Sequence, residues 1–192
     1  SGTVNVLTAA QRGGVTKVVF SASSSAYGDQ EKMPLVESMP VDPKSPYGLH
    51  KLMGEQYCRL WSNVYDLGTV SLRYFNVYGT RMDPDGAYAL VVGKFLKMRS
   101  EGKILTITGD GKQTRDFTHV ADVVRANILA AESESVRKGE VFNIGAGKQT
   151  NINELADMLG GGTEHIEARL EPYRTEADNS FAKKYLGWEP EI

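Results

Sequence analysis

The spacing of apolar side chains in the first part of the chain alternates between that of a helix and that of a buried strand. Apolar positions three and four residues apart predict a helix over residues 3–12. A short β-branched run at 17–20 predicts a buried parallel strand, because strands covered on both faces lack polar alternation. Helical spacing returns over 47–64, and residues 69–74 alternate with Val70 and Leu72 on one side, which predicts the next strand. Helix and strand therefore alternate through this part of the chain.

The second part of the chain continues the alternation, but glycine-rich turns make it less regular. The apolar pattern predicts helices over 90–100, 120–132 and 151–159, and strands over 105–108 and 141–144. Successive strand–helix–strand units imply right-handed crossovers, so the predicted fold class is α/β with a doubly wound parallel sheet. We predict that a small α/β lobe covering the substrate lies in this second part.

The composition narrows the class of partner. The 192 residues are 41% hydrophobic and 24% charged, with a formal net charge of -2, which is ordinary for a globular chain. With so small a net charge, no strong electrostatic field of one sign is expected to attract nucleic acid or an anionic membrane. A small-molecule partner is therefore predicted. No apolar run approaches the ~18 residues that span a bilayer, and the first residues show no signal-like segment.

Cysteine and histidine usage argues against a disulfide framework or a metal site. The single Cys58 lies at an apolar position of a predicted helix, so it cannot form an internal disulfide and suits a reducing compartment. The histidines have no companions at metal-ligand spacing. We therefore predict a cytoplasmic protein without a metal site.

A tyrosine and a lysine open the second predicted helix. Tyr47 and Lys51 are four residues apart, which places the phenol and the ammonium on one helical face. A Tyr-x-x-x-Lys match is short enough to occur by chance, and such pairs are usually solvated surface groups. Here, however, the pair follows Ser45-Pro46 and a strand that ends in the serine-rich turn 21–25. Hydroxyls at the C-terminal end of a parallel strand lie where α/β sheets bind ligands.

Five sequence blocks give the chain a specific resemblance. The blocks are Phe20–Gly28, Ser45-Pro46-Tyr47-Gly48-x-x-Lys51, Leu72–Gly79, Gly109–Asp122 and Phe142–Gly145. In this order they resemble the extended short-chain dehydrogenase/reductase family, and residues 186–190 resemble its closing segment. Within that family the chain looks most like the NAD-dependent nucleotide-sugar epimerases of the UDP-glucose 4-epimerase type.

The resemblance implies a Rossmann-like fold whose opening is missing. Residues 1–80 would be the C-terminal part of the NAD-binding domain. Residues 81–192 would be mainly the substrate-binding lobe, with about 112–145 returning to the Rossmann sheet. No G-x-G-x-x-G follows a strand near the N-terminus, so about 80 to 100 residues that carry the phosphate-binding loop are expected to be absent. We expect these residues alone neither to hold NAD nor to be active.

The resemblance also assigns catalytic and cofactor roles. Ser23, Tyr47 and Lys51 match the catalytic hydroxyl, the acid/base and its partner. The positions that match contacts to NAD are Ser21, Ala22, Tyr47, Lys51 and Tyr74. A free tyrosine has a pKa of ~10, so a base that works near neutrality needs a pKa about three units lower. The positive charges of Lys51 and of the oxidised nicotinamide can supply that stabilisation.

Contacts to the substrate are implied at four positions. Ser23 would orient the reacting sugar hydroxyl, and Asn76 would contact the nucleotide diphosphate. Arg115 and Arg169 would clamp the phosphates, because a guanidinium suits anionic oxygens. Two alternatives stay open: Arg115 could form an internal ion pair with Asp116, and the segment of Arg169 is a residue shorter than the family's usual spacing.

The two residues after Ser23 distinguish the reactions of the family. The 4,6-dehydratases resemble Thr-Asp-Glu at this point, because elimination of water needs an additional acid and base. Here the positions are Ser24 and Ser25, which we interpret as turn formers and which cannot replace carboxylates. We therefore predict NAD-dependent epimerisation at C4 of a UDP-hexose through a transient 4-keto sugar. A dehydratase or reductase of the same family and a non-catalytic nucleotide-sugar-binding module remain the alternatives.

Both predicted helices of the first part carry more apolar groups than one face of a sheet covers. On the second helix, Leu52, Tyr57 and Trp61 broaden the apolar stripe. Extended members of the family commonly pair these helices in a four-helix bundle, so the resemblance implies a homodimer through helices 3–12 and 47–64. The alternative is that other parts of the protein cover these groups.

Overall fold

The structure, a computed structural model, describes residues 2–86, 89–168 and 172–192. The helices in these ranges are α1 (Gly2–Arg12), α2 (Pro46–Tyr65), α3 (Val91–Ser100), α4 (Val120–Glu132), α5 (Ile152–Leu159) and α6 (Ser180–Leu186). The strands are β1 (Lys17–Ser23), β2 (Gly68–Tyr74), β3 (Val77–Tyr78), β4 (Leu105–Thr108), β5 (Thr114–Asp116), β6 (Thr118–His119), β7 (Lys138–Ile144), β8 (Gln149–Asn151) and β9 (Thr163–Ile166). Every helix and strand expected from the apolar pattern is present, with ends that differ by a few residues.

Three parallel strands form the main sheet, in the order β1, β2, β7. Val19 lies opposite Val70, and Leu72 lies opposite Phe142. β2 is the central strand, and all its residues before Tyr74 are buried, as expected for a strand that is covered on both faces. The predicted α/β class with a parallel sheet is confirmed.

Alternate residues of β2 point to opposite faces of the sheet, and different helices cover the two faces. Val70 and Leu72 belong to a buried cluster that includes residues of α4 and α6 as well as Trp188. On the other face Arg73 meets Glu55 of α2. The strand therefore presents apolar side chains to α4 and α6, and a charged one to the helix that carries Tyr47 and Lys51.

The second part of the chain combines α3 and α5 with pairs of short strands. β4 pairs with β9 in parallel and β5 pairs with β8 antiparallel. The buried core between these elements contains Val92, Phe95, Leu105, Ile107, Ile152, Leu155 and Ala156. The short strands β3, β5, β6, β8 and β9 are not predicted by the apolar pattern, because none of them has the alternating apolar residues that mark the equally short β4.

Membrane-spanning and metal-binding features are missing from the described ranges. No helix there combines the length and apolarity that crossing a bilayer requires. In the same residues no group of His, Cys, Asp and Glu side chains is arranged to hold a metal ion. Cys58 is fully buried, and burial raises the pKa of its thiol to about 11, so it is a core side chain.

Candidate active site

The serine-rich turn after β1 holds the first candidate group. Ser23 ends β1 and caps a single 3-10 turn over Ser24–Ala26. Its Oγ accepts hydrogen bonds from the Ser25 N–H at 3.2 Å and from the Ser25 hydroxyl at 2.8 Å. Tyr27, the next residue, is fully buried. The turn is thus anchored in the core while Ser23 keeps partial exposure.

The helix α2 begins against this turn. Ser45 Oγ accepts the Gly48 N–H at 3.1 Å, and Pro46 occupies the first helical position, so the helix starts at this point. A Cβ atom on Gly48 would lie only 2.7 Å from the Ser25 carbonyl oxygen. The absence of a side chain at position 48 therefore lets the first turn of α2, which carries Tyr47, approach the serine turn closely.

The Lys51 ammonium lies between β1 and Tyr47. Its Nζ donates to the Ser21 carbonyl at 2.7 Å and lies 5.7 Å from the centre of the Tyr47 ring. The centre of the Phe20 ring is 5.6 Å away. Burial against this apolar surface lowers the pKa of Lys51, because the charged form is desolvated. An ammonium in this position stabilises negative charge on its neighbours.

A chain of hydrogen bonds crosses the C-terminal ends of β1 and β2. The Tyr74 hydroxyl donates to Oδ1 of Asn127 at 2.9 Å and lies 3.1 Å from the Ser21 hydroxyl. Nδ2 of Asn127 donates to the Val123 carbonyl at 2.7 Å, which determines the end of the amide that faces Tyr74. The helix α4 thereby orients a tyrosine that the family resemblance implies is beside NAD.

A buried ion pair ties α2 to the sheet. Arg73 donates to the two oxygens of Glu55 at 2.9 and 2.7 Å, and both side chains are almost completely buried. The guanidinium lies 4.5 Å from the centre of the Tyr27 ring. Tyr27 donates to Asn143 at 2.7 Å, and burial raises its pKa to about 12, so it is no candidate for an acid/base. Because Glu55 lies one turn beyond Lys51, the ion pair holds the helix that carries Lys51.

A cavity of about 530 Å³ contains the two predicted phosphate contacts that the structure describes, Asn76 and Arg115. Asn76 has a φ of 26°, and its Nδ2 donates to the Asp116 carbonyl at 3.0 Å. Arg115 is only 9% exposed, and its Nη1 donates to the Thr114 carbonyl at 2.8 Å. The wall also includes Lys94 and the rings of Phe95 and Phe117, whereas its other lysines, Lys97 and Lys103, form ion pairs with Asp85 and Glu101 of the same wall. Arg115, Lys94 and the two rings therefore make the part of the cavity that suits an anionic ligand with a planar group.

The carboxylate of Asp116 is held by backbone groups. It accepts N–H donors from Ala146 at 2.8 Å, from Gly147 at 3.0 Å and from Ala177 at 2.9 Å. The residue is fully buried, and this burial raises its pKa to about 6 although the three hydrogen bonds act in the opposite direction. Backbone donors from two segments of the chain therefore hold this carboxylate in place.

The structure brings the predicted site residues together in two places. The residues at the C-terminal ends of β1 and β2 and in the first turns of α2 are Ser21, Ala22, Ser23, Tyr47, Lys51 and Tyr74. Asn76 and Arg115 line the cavity. Arg169 lies outside the described residues. The roles assigned to all of them remain predictions.

Three supporting residues were not predicted from the sequence. The sequence predicts Ser25 only as a turn former, whereas its hydroxyl donates to Ser23 in the structure. Glu55 does carry a signal, because a charged residue on the buried side of a helix requires a partner. Asn127 has no local signal, since Tyr74, its partner, is 53 residues away.

The chain is similar to nucleotide-sugar epimerases in sequence and in structure. A UDP-glucose 4-epimerase of Mycolicibacterium smegmatis is 39% identical over an alignment that covers 100% of this chain and 63% of the relative. The structure of UDP-glucose 4-epimerase from Thermotoga maritima with UDP-glucose has a TM-score of 0.92 at 37% identity, covering 100% of this chain and 63% of that one. UDP-glucuronic acid 4-epimerase from Bacillus cereus, with UDP-glucuronic acid and NAD, has a TM-score of 0.91 at 35% identity, covering 99% and 61%.

These coverages show that the chain spans less than two thirds of the length of its relatives. The structural similarity confirms the predicted Rossmann-like fold. The sequence profile of the NAD dependent epimerase/dehydratase family matches residues 1–145. The chain therefore belongs to the NAD dependent epimerase/dehydratase family, as its five sequence blocks predict.

Proposed function

We propose that the complete protein is a nucleotide-sugar 4-epimerase that acts on a UDP-hexose with NAD. The proposal rests on one observation above the others: the Lys51 ammonium lies between the Tyr47 ring and β1, next to the turn that carries Ser23. Relatives named as UDP-glucose and UDP-glucuronic acid 4-epimerases support the substrate class. That the sugar is a hexose and that the nucleotide base is uracil are both part of the proposal.

The groups around Lys51 fit a nicotinamide ribose. An ammonium has three N–H donors, and among the described residues Lys51 commits one hydrogen bond to the Ser21 carbonyl. The remaining donors suit ribose hydroxyls, and Ala22 and Tyr74 border the same place. When bound, NAD would supply the hydride acceptor and donor for C4. Because the reaction has no net redox change, we expect the complete protein to retain NAD through purification.

Tyr47 is the acid/base in this proposal. Its phenolic oxygen takes the proton of the C4 hydroxyl and returns it after the 4-keto sugar has turned over in the site. Lys51 stabilises the negative charge that Tyr47 carries before it takes this proton and after it has returned it. Ser23 holds the C4 oxygen by a hydrogen bond and so keeps the reacting group within reach of Tyr47.

The diphosphate is proposed to lie in the cavity. Arg115 supplies a guanidinium that the wall already holds in place, and Asn76 supplies an amide. Arg169, outside the described residues, is a further proposed phosphate contact. Ser24 and Ser25 offer no carboxylate to an elimination, so a dehydratase is not the proposal.

The test uses the complete natural chain. Its bound NAD is measured by absorbance after acid release, and it is then incubated with UDP-glucose, UDP-galactose, UDP-N-acetylglucosamine, UDP-glucuronic acid and dTDP-glucose. We expect proton NMR to show an equilibrium mixture of C4 epimers without accumulation of NADH. A 4-keto-6-deoxy product would identify a dehydratase, and steady accumulation of NADH would identify net redox chemistry. Binding of UDP-sugars without turnover would identify a binding module, and each of these three results would overturn the proposal.

A further inference from the structure

The oxygen of Ser23 has both of its acceptor positions filled by one neighbour. A serine hydroxyl carries one proton and can accept two hydrogen bonds. Here Ser25 supplies both donors, its backbone N–H at 3.2 Å and its hydroxyl at 2.8 Å, and the geometry makes Ser25 the donor in the hydroxyl pair. The proton of Ser23 is therefore left to be donated to a group outside this pair.

The position of Ser25 is fixed from two sides. Behind it, the Ser24 carbonyl accepts the Tyr27 N–H at 3.0 Å, and Tyr27 is fully buried. In front of it, Gly48 of α2 approaches so closely that a Cβ there would lie 2.7 Å from the Ser25 carbonyl oxygen. The backbone of residue 25, and with it the N–H that Ser23 accepts, is therefore held between the buried Tyr27 and α2.

We propose that Ser25 is a positioning residue that makes Ser23 a hydrogen-bond donor to the reacting oxygen of the substrate. This inference rests on the proposed epimerase function. In that reaction the C4 hydroxyl must give its own proton to Tyr47, so it can receive a hydrogen bond from Ser23 but should not donate one. If a lone pair of Ser23 were free, the C4 hydroxyl could donate its hydrogen bond to Ser23 instead of to Tyr47. Ser25 prevents the competition because it occupies both lone pairs.

The hydrogen bond from Ser25 to Ser23 should influence kcat more than substrate binding. As the C4 oxygen changes from hydroxyl to carbonyl it becomes an acceptor only, so the hydrogen bond from Ser23 gains importance along the reaction. The backbone N–H of residue 25 survives any replacement except proline, whereas its hydroxyl does not. Loss of the hydroxyl alone should therefore reopen one lone pair of Ser23 and lower kcat about tenfold.

Three variants of the complete chain test the inference. Ser25→Ala removes the hydroxyl, Ser25→Thr keeps one, and Ser24→Ala is a matched control. Ser24 is the same residue type in the same turn, and within the described residues its side chain makes no hydrogen bond to Ser23. We expect kcat to fall about tenfold in Ser25→Ala with KM changed less than about twofold, and to stay within about threefold of wild type in Ser25→Thr. Ser24→Ala should resemble wild type, and all variants should keep their NAD content and melting temperature.

The outcomes separate this inference from the proposed function. Equal kcat in Ser25→Ala and Ser24→Ala would overturn it. So would an equal loss in Ser25→Thr, or a loss of NAD or of melting temperature confined to Ser25→Ala, because residue 25 would then serve packing. If the wild-type protein epimerises none of the sugars, the proposed function fails, and neutron diffraction from deuterated crystals decides the hydroxyl direction instead. A Ser23 deuteron that points into the site supports the positioning role, and one that points to Ser25 contradicts it.

Discussion

Tyr47 and Lys51, at the start of α2, are proposed to carry out the chemistry, and their surroundings differ. Tyr47 is partly exposed, whereas Lys51 is held by the Ser21 carbonyl and packs near the Phe20 ring. A charge that is shielded from water acts more strongly on its neighbours than a solvated one. The proposed mechanism needs a positive charge at this position beside Tyr47, and the hypothesis can be tested by removing a single oxygen atom.

Tyr47→Phe removes that oxygen and leaves the ring. We expect kcat to fall at least ~100-fold, with KM within a few-fold of wild type, because an acid/base group acts mainly on the chemical step. Steady-state assays of the complete chain measure the effect, and Tyr57→Phe on the same helix is the control. Comparable turnover in the two variants would remove Tyr47 from the mechanism.

Arg115→Ala removes a cation that is buried in the wall of the cavity. We expect the affinities for UDP and for UDP-glucose to fall together, about 10- to 100-fold, because the proposed contact is a charge-assisted hydrogen bond to phosphate. Isothermal titration calorimetry measures both affinities, and Lys148→Ala, at an exposed residue away from the cavity, is the control. An unchanged affinity for UDP would exclude Arg115 from the phosphate site.

Among the site residues, those that lie in contiguous motifs can be predicted from the sequence. Tyr47 and Lys51 are one helical turn apart, so their relation follows from helix geometry alone. The donation from Ser25 to Ser23 depends on the shape of a turn, and the contact of Asn127 with Tyr74 depends on how α4 packs on the sheet. Neither relation exists before the chain has folded.

Among the elements, α2 presents an apolar stripe to solvent. Its members are spaced by four, seven and four residues and so share one face: Leu49, Met53, Leu60 and Val64, each 40–59% exposed. Tyr57 and Trp61, in contrast, are partly buried and lie 6.3 Å apart, edge to face. A stripe with this spacing suits a partner helix, so we propose that α2 and α1 meet their copies in a homodimer.

Leu60→Glu places a charge in the middle of that stripe. We expect the complete protein to shift from dimer to monomer at micromolar concentration, because the carboxylate would be desolvated at the interface. Analytical ultracentrifugation measures the shift. Leu96→Glu, at a leucine of α3 with 51% exposure, is the matched control and should leave the dimer intact. A wild-type monomer, or a dimer that survives Leu60→Glu, would show that the stripe has another use.

Arg73 and Glu55, the ion pair between β2 and α2, should stabilise the fold only when both residues are present. In Arg73→Leu the Glu55 carboxylate remains buried without its partner, so we expect the free energy of unfolding to fall by about 3–5 kcal/mol. Replacing Glu55 with leucine as well should recover much of that loss. Urea denaturation measures both variants, and Lys183→Gln, which breaks an exposed pair with Glu189, should change little. A double variant no more stable than the single one would contradict this account.

Predictability at the element scale follows length and exposure. The long helix α2 shows several turns of apolar periodicity, so its existence is evident from the sequence. The strand β9 is four residues long and exposed throughout, so no apolar pattern marks it. Its pairing with β4 is set by the arrangement of the lobe. Helix α6, seven residues long, escapes prediction because it completes only two turns.

For the molecule as a whole, Asp116 joins segments that are distant in the chain. Its carboxylate binds the loop after β7 through Ala146 and Gly147, and the segment before α6 through Ala177. Asp116 itself belongs to β5, which pairs with β8 and not with the main sheet. One buried carboxylate therefore holds the end of the main sheet against the second part of the chain.

The titration of Asp116 should be visible in the pH dependence of stability. Its folded-state pKa of about 6 lies above the value near 3.9 expected in an unfolded chain. The stabilisation from this group is therefore complete below about pH 4 and is lost as the pH rises through about 6. Carbon-detected NMR of the carboxyl groups should find one aspartate that titrates near pH 6. A midpoint below pH 4 would show that the three N–H donors outweigh desolvation.

The close approach of Gly48 to the serine turn also has a consequence for natural variation. A side chain at position 48 would meet a backbone oxygen of Ser25, which cannot rotate away as a side-chain atom could. A homologue with a larger residue there therefore needs a differently shaped turn after its corresponding strand. We expect position 48 and positions 24–25 to covary across homologues, because the residues allowed at both places depend on the distance between α2 and the turn after β1.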